Sequence, residues 1–212
     1  MLQRNIERML RDRGCAEVRC CGGTDDDATW RAYGSCPDTV VLFIGGGSAL
    51  TARSVAERAA EARGELSAEA RVVLLHRRAL DYVPQEPVRR AVFEAGGVQL
   101  MAAARFEHFH LPDHELVPRH ELVPPPSVDA ELRTRLRGGA RELCYLPLLC
   151  AGDAMYEHLG ARPGNVVRIT RRTPDTGAET LYRLAVLNDT EQAVEAAVRW
   201  ATAAAAAAAA AL

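Results

Sequence analysis

The sequence predicts an α+β protein: an N-terminal α/β part followed by a smaller C-terminal α+β part of short helices on a sheet that contains a β-hairpin. Three observations carry this expectation. Over residues 1–111, apolar runs of strand length alternate with amphipathic helical stretches. A proline-rich stretch from Pro112 to Pro126 then interrupts the chain and reads as a hinge. Beyond it the elements are shorter, and two alternating runs flank a Pro/Gly turn in the pattern of a hairpin.

Residues 2–13 place Ile6, Met9 and Leu10 on one helical face, with Gly14 as a stop. Residues 22–39 are rich in Gly and Asp and read as loop. TVVLFI, 39–44, is a continuous apolar run with the look of a buried strand. GGGS, 45–48, is a loop, and Ala49 to Arg63 is a helix ended by Gly64. VVLLH, 72–76, is a second strand. Pro84 and Pro87 break the next stretch, Val88 to Glu94 is a short helix, and VQLMAAARF, 98–106, is a third strand.

Past the hinge, Ser127 is placed to cap a helix with Asp129 and Glu131 in its first turn and Gly138-Gly139 at its end. Asp153 is placed to cap a second short helix closed by Gly160. Arg162-Pro163-Gly164-Asn165 has Pro and Gly where a type II turn wants them. VVRITRR, 166–172, and ETLYRLAV, 179–186, are strands joined by the turn TPDTG, 173–177. Asp189 or Thr190 caps a last helix, with Val194 and Val198 on one face, that runs into the Ala-rich end.

With 212 residues, 48% hydrophobic, the chain can bury a core in one domain or two small ones. A net charge of −2 argues against a strongly basic nucleic-acid binder, and all 26 basic residues are arginine. Cysteines stand at 15, 20, 21, 36, 144 and 150 without a CxxC pair, and the charged start MLQRNIERMLRDRG is no apolar leader, so reduced intracellular thiols are expected. The Ala-rich end is short for a bilayer, and no membrane partner is expected.

A Gly-rich loop between strand and helix raises the question of a nucleotide. A Walker loop needs a lysine this chain lacks, and Leu50 breaks both the dinucleotide fingerprint and a nucleophile elbow around Ser48. Gly45–Gly47 therefore read as an ordinary loop, with an α/β nucleotide-binding enzyme as a remote alternative. His108, His110, His114 and His120 crowd a short stretch, but nearby cysteine partners are missing and prolines would splay the ligands. No metal and no cofactor are expected. Residues 71–105 carry six Arg against three acids, and Arg168, Arg171, Arg172 and Arg183 crowd the C-terminal hairpin. Such clusters suit a solvated face, nucleic acid or an acidic partner.

HELVP occurs twice, from His114 and from His120. The order HELVPRH (114–120), a capped helix, Leu146-Pro147, Asp153, Gly160, Gly164, Val166, Val167, Ile169, Arg171, Thr176, Gly177, Tyr182 and Arg183 resembles the small RNA polymerase subunit shared by the three eukaryotic nuclear enzymes, the fifth subunit, together with its archaeal counterpart. In that resemblance HELVPRH is the motif and the second HELVP is an echo that starts at its last histidine. The chain departs from the family pattern at Leu148, where the pattern has arginine, at Ala154, where it has proline, and at Thr173, where it has serine.

The resemblance implies a non-catalytic subunit of DNA-directed RNA polymerase that takes part in DNA-templated transcription. It implies residues 1–111 as a jaw-like domain toward downstream DNA; the slightly acidic chain, with few Arg able to reach phosphates at once, leads to an expectation of weak DNA affinity on its own. Residues 112–187 would be the assembly domain on the largest subunit, and 188–212 a helical tail. The residues expected at the polymerase interface are His114, Pro118, His120, Asp153, Arg168, Arg171, Gly177, Tyr182 and Arg183; Arg89 and Arg90 are expected near DNA. No catalytic residue is expected, because nothing supplies the paired aspartates that hold magnesium for nucleotidyl transfer. The place of work would be the nucleus if cellular, or host cell or virion if viral. A free-standing transcription adaptor carrying the same module is the nearer alternative.

Overall fold

The structure is a computed structural model that describes residues 1–21, 29–34, 39–44, 50–64, 70–79, 82–136, 143–173 and 177–210. It divides into two compact units, Met1–His110 and Leu111–Leu212. No helix among the described residues is long and apolar enough to cross a membrane.

The first unit runs α1 (Leu2–Asp12), β1 (Cys15–Cys21), β2 (Thr29–Gly34), β3 (Thr39–Phe43), α2 (Ala52–Gly64), β4 (Arg71–His76), α3 (Glu86–Glu94) and β5 (Val98–Ala102). The strands form one sheet in the order β1-β2-β3-β4-β5. The β1–β2 and β2–β3 pairs are antiparallel, while β3–β4 and β4–β5 are parallel, with α2 and α3 as the crossovers. Every residue of β3 is buried, because both faces of these parallel strands are covered. Val41, Phe43, Val73 and Leu75 face α1 through Ile6, Met9 and Leu10. The alternate residues Val40, Leu42, Val72 and Leu74 face Val55, Ala62 and Val88 of α2 and α3.

Two expectations change here. Residues 22–39 are not all loop: Thr29–Gly34 is strand, and it pairs with Cys15–Cys21 and with β3. Trp30, completely buried, supplies the apolar anchor that polar neighbours hide in the sequence. The third strand stops at Ala102, and Ala103–Phe106 turns into a short 3₁₀ helix. There the Asn5 side-chain amide donates to the Phe106 carbonyl at 2.8 Å, tying α1 to the end of the unit. The glycine loop 45–48 lies outside the described residues.

The second unit runs β6 (Arg119–Leu122), α4 (Pro125–Leu136), β7 (Leu148–Cys150), α5 (Ala154–Leu159), β8 (Val166–Thr173), β9 (Gly177–Val186) and α6 (Glu191–Ala210). Its four-stranded sheet has the order β6-β8-β9-β7. The segment read as a hinge is structured: Leu111–Asp113 is a 3₁₀ turn, β6 pairs with β8, and two of the prolines open α4. Proline fits there because the first turn of a helix has no use for its missing N–H. The helix therefore starts before Ser127, whose amide donates to the Pro124 carbonyl at 2.9 Å. Its expected stop, Gly138-Gly139, lies outside the described residues, as do residues 174–176 of the hairpin turn.

The sheet is buried on both faces. Val166, Tyr182, Leu184 and Val186 meet Val128 and Leu132 of α4 and Ala197 and Ala201 of α6. Val167, Ile169 and Ala185 meet Met155, Tyr156 and Leu159 of α5 on the other side. The hairpin thus has no polar face along its inner half, which differs from the simple alternation expected of it. At the turn before β8, the Asn165 amide donates to the Arg162 carbonyl at 2.9 Å, as a type II turn requires. Thr190 begins α6, its hydroxyl accepting from the Ala193 amide at 3.4 Å.

Asp153 caps α5: its Oδ1 accepts from the amides of Met155 at 2.7 Å and Tyr156 at 3.4 Å, and Gly160 closes the helix. Ala154 fills the first helical position without loss of this cap. Asp153→Ala is expected to lower the stability of the second unit by about 1 kcal/mol, the usual worth of an N-cap. Asp153→Asn should retain most of it, and denaturant melts of the two variants check the difference.

Burial pushes the Tyr156 phenol up to about 12, with Arg162 acting in the opposite sense. The fold therefore favours the neutral ring. No stability is lost below pH 10; between pH 10 and 12 the unfolded chain ionises first and stability falls. Alkaline titration of the tyrosinate absorbance should show a step near pH 12, and Tyr156→Phe should remove it.

Candidate functional site

The residues expected at an interface fall into three places on the second unit. The first is a charged clasp between α4 and the sheet. Arg168 on β8 stands opposite Glu121 of β6 and opposite Tyr182 of β9. Its guanidinium donates to Glu121 Oε2 and to Glu131 Oε1 of α4, each at 3.1 Å. The Tyr182 hydroxyl donates to Glu131 Oε2 at 3.1 Å, and Arg119 takes Glu121 Oε1 at 2.6 Å. All four carboxylate oxygens have a donor. The hydrogen bond to Glu121 holds Arg168 above its ordinary pKa, with Glu131 adding to the effect and partial burial opposing it. Glu121, Glu131, Arg168 and Tyr182 line an open groove of about 530 Å³ with Thr134, Thr170 and Thr180.

The second place is the HELVPRH turn. His114 is exposed, and its Nδ1 accepts from the Leu116 amide at 3.2 Å. His120 Nδ1 lies 2.7 Å from the Pro118 carbonyl, and its cross-strand neighbour is Ile169 on the α5 side of the sheet. These contacts set the bend by which the chain enters β6. His110 belongs to the first unit, where it is buried with Nε2 2.9 Å from Asp12 Oδ2.

The third place is the outer half of the hairpin. Arg171 and Arg172 are exposed there, opposite Glu179 and Ala178. Thr173 pairs with Gly177 next to the turn. Arg183 points the other way: it donates to the Leu148 carbonyl at 3.2 Å, so it fastens β9 to β7. Leu148, where the family pattern has arginine, is partly buried against the α4 and α6 side. Asp153, as the α5 cap, stands apart from all of these.

In the first unit Arg89 and Arg90 are exposed on the outer side of α3 and pair with acids of the same helix. Arg89 bonds Glu86, and Arg90 Nε donates to Glu94 Oε1 at 2.7 Å. Such surface pairs are weak and open readily. A second basic group gathers at the carboxyl end of β4, where Arg77 packs over Phe43 and Arg78 over Tyr82. His76 is buried among them. Desolvation, then the charges of Arg78 and Arg105, push its pKa down.

Glu121 and Glu131, the partners of Arg168, are absent from the residues expected at the site. Glu131 sits 37 residues from Arg168 in the chain, and nothing local in α4 marks it. The signal that was present is the alternation in β6, which sends Glu121 to the face opposite His120.

The family model described as RNA polymerase Rpb5, C-terminal domain, matches residues 109–185, all but the last element of the second unit. The chain is also similar to archaeal proteins named DNA-directed RNA polymerase subunit Rpo5. It is 38% identical to that of Archaeoglobus fulgidus over 80 residues, which is 38% of this chain and 92% of the relative. It is 36% identical to that of Thermococcus kodakarensis over 81 residues, 38% of this chain and 87% of the relative. The match to the Methanocaldococcus jannaschii protein is 36% over 80 residues, 38% of this chain and 90% of the relative. The matched stretch covers nearly the whole of each of these relatives, and the chain belongs to the Rpb5 family of non-catalytic subunits of DNA-directed RNA polymerase.

Proposed function

We propose that residues 112–187 dock this subunit on the largest chain of a DNA-directed RNA polymerase, and that residues 1–111 lie toward downstream DNA. The observation that carries the reading is the exposure of Arg171 and Arg172 on a hairpin inside the matched segment. Their neighbours Arg168 and Arg183 are already bonded within the unit, so the outer pair is the part with guanidinium groups on offer. Planar forks suit carboxylates and carbonyls of a partner. As part of a polymerase the chain works inside the cell: in the nucleus for a cellular source, and in the host cell or virion for a viral one.

Arg171→Ala with Arg172→Ala is expected to weaken incorporation by about 2 kcal/mol if the two become desolvated at the interface, roughly 30-fold in affinity. The fold should be intact, since neither side chain is buried. Arg89→Ala with Arg90→Ala should spare assembly and at most loosen the hold on downstream DNA. Co-purification with the largest subunit, with circular dichroism as folding control, reads both. Normal assembly of the hairpin variant together with failure of the α3 variant would reverse the roles assigned to the two units.

A further inference from the structure

Strand β9 is ten residues long but has a neighbour on its outer side for only three of them. β7 pairs with Leu184–Val186, and the Leu184 amide donates to the Pro147 carbonyl at 3.0 Å. On its inner side β9 pairs with β8 along the full register from Thr173↔Gly177 to Val166↔Leu184. β6 likewise stops at Thr170 of β8. The outer half of the hairpin is therefore a two-stranded ribbon that projects past both flanking strands, among the described residues. Ribbons of two strands are marginal in water unless something adds to them.

The direction of the open groups follows from the bonds on either side. Leu184 and Val186 bond toward β7, while Ala185 bonds toward the β8 side through the Asn165 carbonyl at 2.9 Å. Alternation then turns the main-chain N–H and C=O of Ala178 and Thr180 to the open edge. Edges of this kind are usually blunted by proline, lysine or a bulge. Ala178, Thr180 and Leu181 offer none of these, and Leu181 is 44% exposed although its cross-strand neighbour Ile169 is buried.

Building on the docking reading above, we infer that the outer edge of β9 receives an extended segment of another polymerase chain as a fifth strand. Only an extended backbone matches a row of alternating amides and carbonyls. The flanking side chains define its character. Arg172 stands opposite Ala178, whose small side chain leaves the guanidinium free to reach across to the added strand. An acidic residue opposite Ala178 meets it. Leu181 lies on the other face, three positions along, and asks for an apolar residue opposite. The segment is thus extended, with an acid and an apolar residue three positions apart on opposite faces.

The test compares the full-length subunit alone and in purified polymerase by hydrogen exchange resolved over residues 177–183. The Ala178 and Thr180 amides are expected to slow by about 100-fold or more on assembly, as paired strand amides do. Thr180→Pro removes one outward N–H and leaves the β8 ladder untouched, because edge strands tolerate proline with its nitrogen side to solvent. It should reduce recovery with polymerase roughly tenfold, as loss of an interface anchor does, with an unchanged circular dichroism melt. Equal exchange in the free and assembled states overturns the added strand and leaves the docking reading standing. Failure of the wild-type chain to co-purify with polymerase overturns the docking reading, and the added strand falls with it.

Discussion

Gly164→Val is expected to lower the stability of the second unit by about 3 kcal/mol, from the combined scales of a left-handed L-residue and an overpacked contact. Gly164 has φ +89, and a Cβ there would stand 2.8 Å from the Ala197 carbonyl oxygen, 2.9 Å from the Ala201 nitrogen and 3.0 Å from Trp200 Cβ. Two of these three atoms are backbone of α6, so no rotamer change relieves the clash. The helix must lift off the turn, and Ala197 and Ala201 leave the core shared with α4 and Leu184. Gly177→Ala supplies the control. Gly177 has φ +78 with nothing within 4 Å of its would-be Cβ among the described residues, so the backbone strain of about 1–2 kcal/mol is the cost expected there. Denaturant melts of the two variants, with hydrogen exchange along α6, separate strain from contact. An equal loss in both would show that α6 does not bear on Gly164.

Trp30→Ala should cost the first unit about 4 kcal/mol, in the range of large aromatic truncations in a core. Trp30 is fully buried, stands opposite Cys20 and Val41 in the sheet, and packs its ring 6.0 Å from that of Phe43. Removing it opens a cavity between α1 and the middle of the sheet that β-sheet backbone cannot collapse to fill. Trp30→Phe should cost far less, about 1 kcal/mol. It keeps most of the apolar area and removes an indole N–H with no hydrogen-bond partner among the described residues, whose burial opposes folding. Denaturation followed by circular dichroism, with exchange along β2 to β4, measures both. A Phe variant as unstable as the Ala variant would mean that the indole N–H has a partner.

What the sequence made legible was local. The buried runs at β3 and β4, the Asp153 cap with its Gly160 stop, the turn at Gly164 and the hairpin all carry their signals within a few residues of themselves. What it hid depends on distant partners. β2 is a strand because Trp30 finds α1 and Val41, while the Gly- and Asp-rich residues 22–27 just before it argue for loop. β7 has only three residues and lies parallel to a strand 36 positions further on, so no run of that length announces it. The proline stretch holds a strand and a helix start because β8 offers a ladder to β6, which no reading of prolines alone supplies.

The candidate site divides in the same way. Arginines 168, 171, 172 and 183 look alike along two alternating strands. Their different fates follow from where β6 and β7 end and where Glu131 lies. Arg168 lies beside β6 and Arg183 next to the end of β7, and both are bonded there; Arg171 and Arg172 fall beyond these strands and are exposed. Strand ends are set by pairing partners far away in sequence, so the sorting is invisible until the sheet is drawn.

The seating of α6 over Gly164 also orders events during translation. Every described strand of the second unit precedes α6 in the chain, so the ribosome delivers a complete sheet while the side that will hold Ala197 and Ala201 is still partly bare. Until α6 emerges, Val166, Leu184 and Val186 have the cover of α4 but lack that of Ala197 and Ala201. The nascent chain is thus most exposed to mispairing between closure of the hairpin and the emergence of α6, with part of the sheet's cover not yet made.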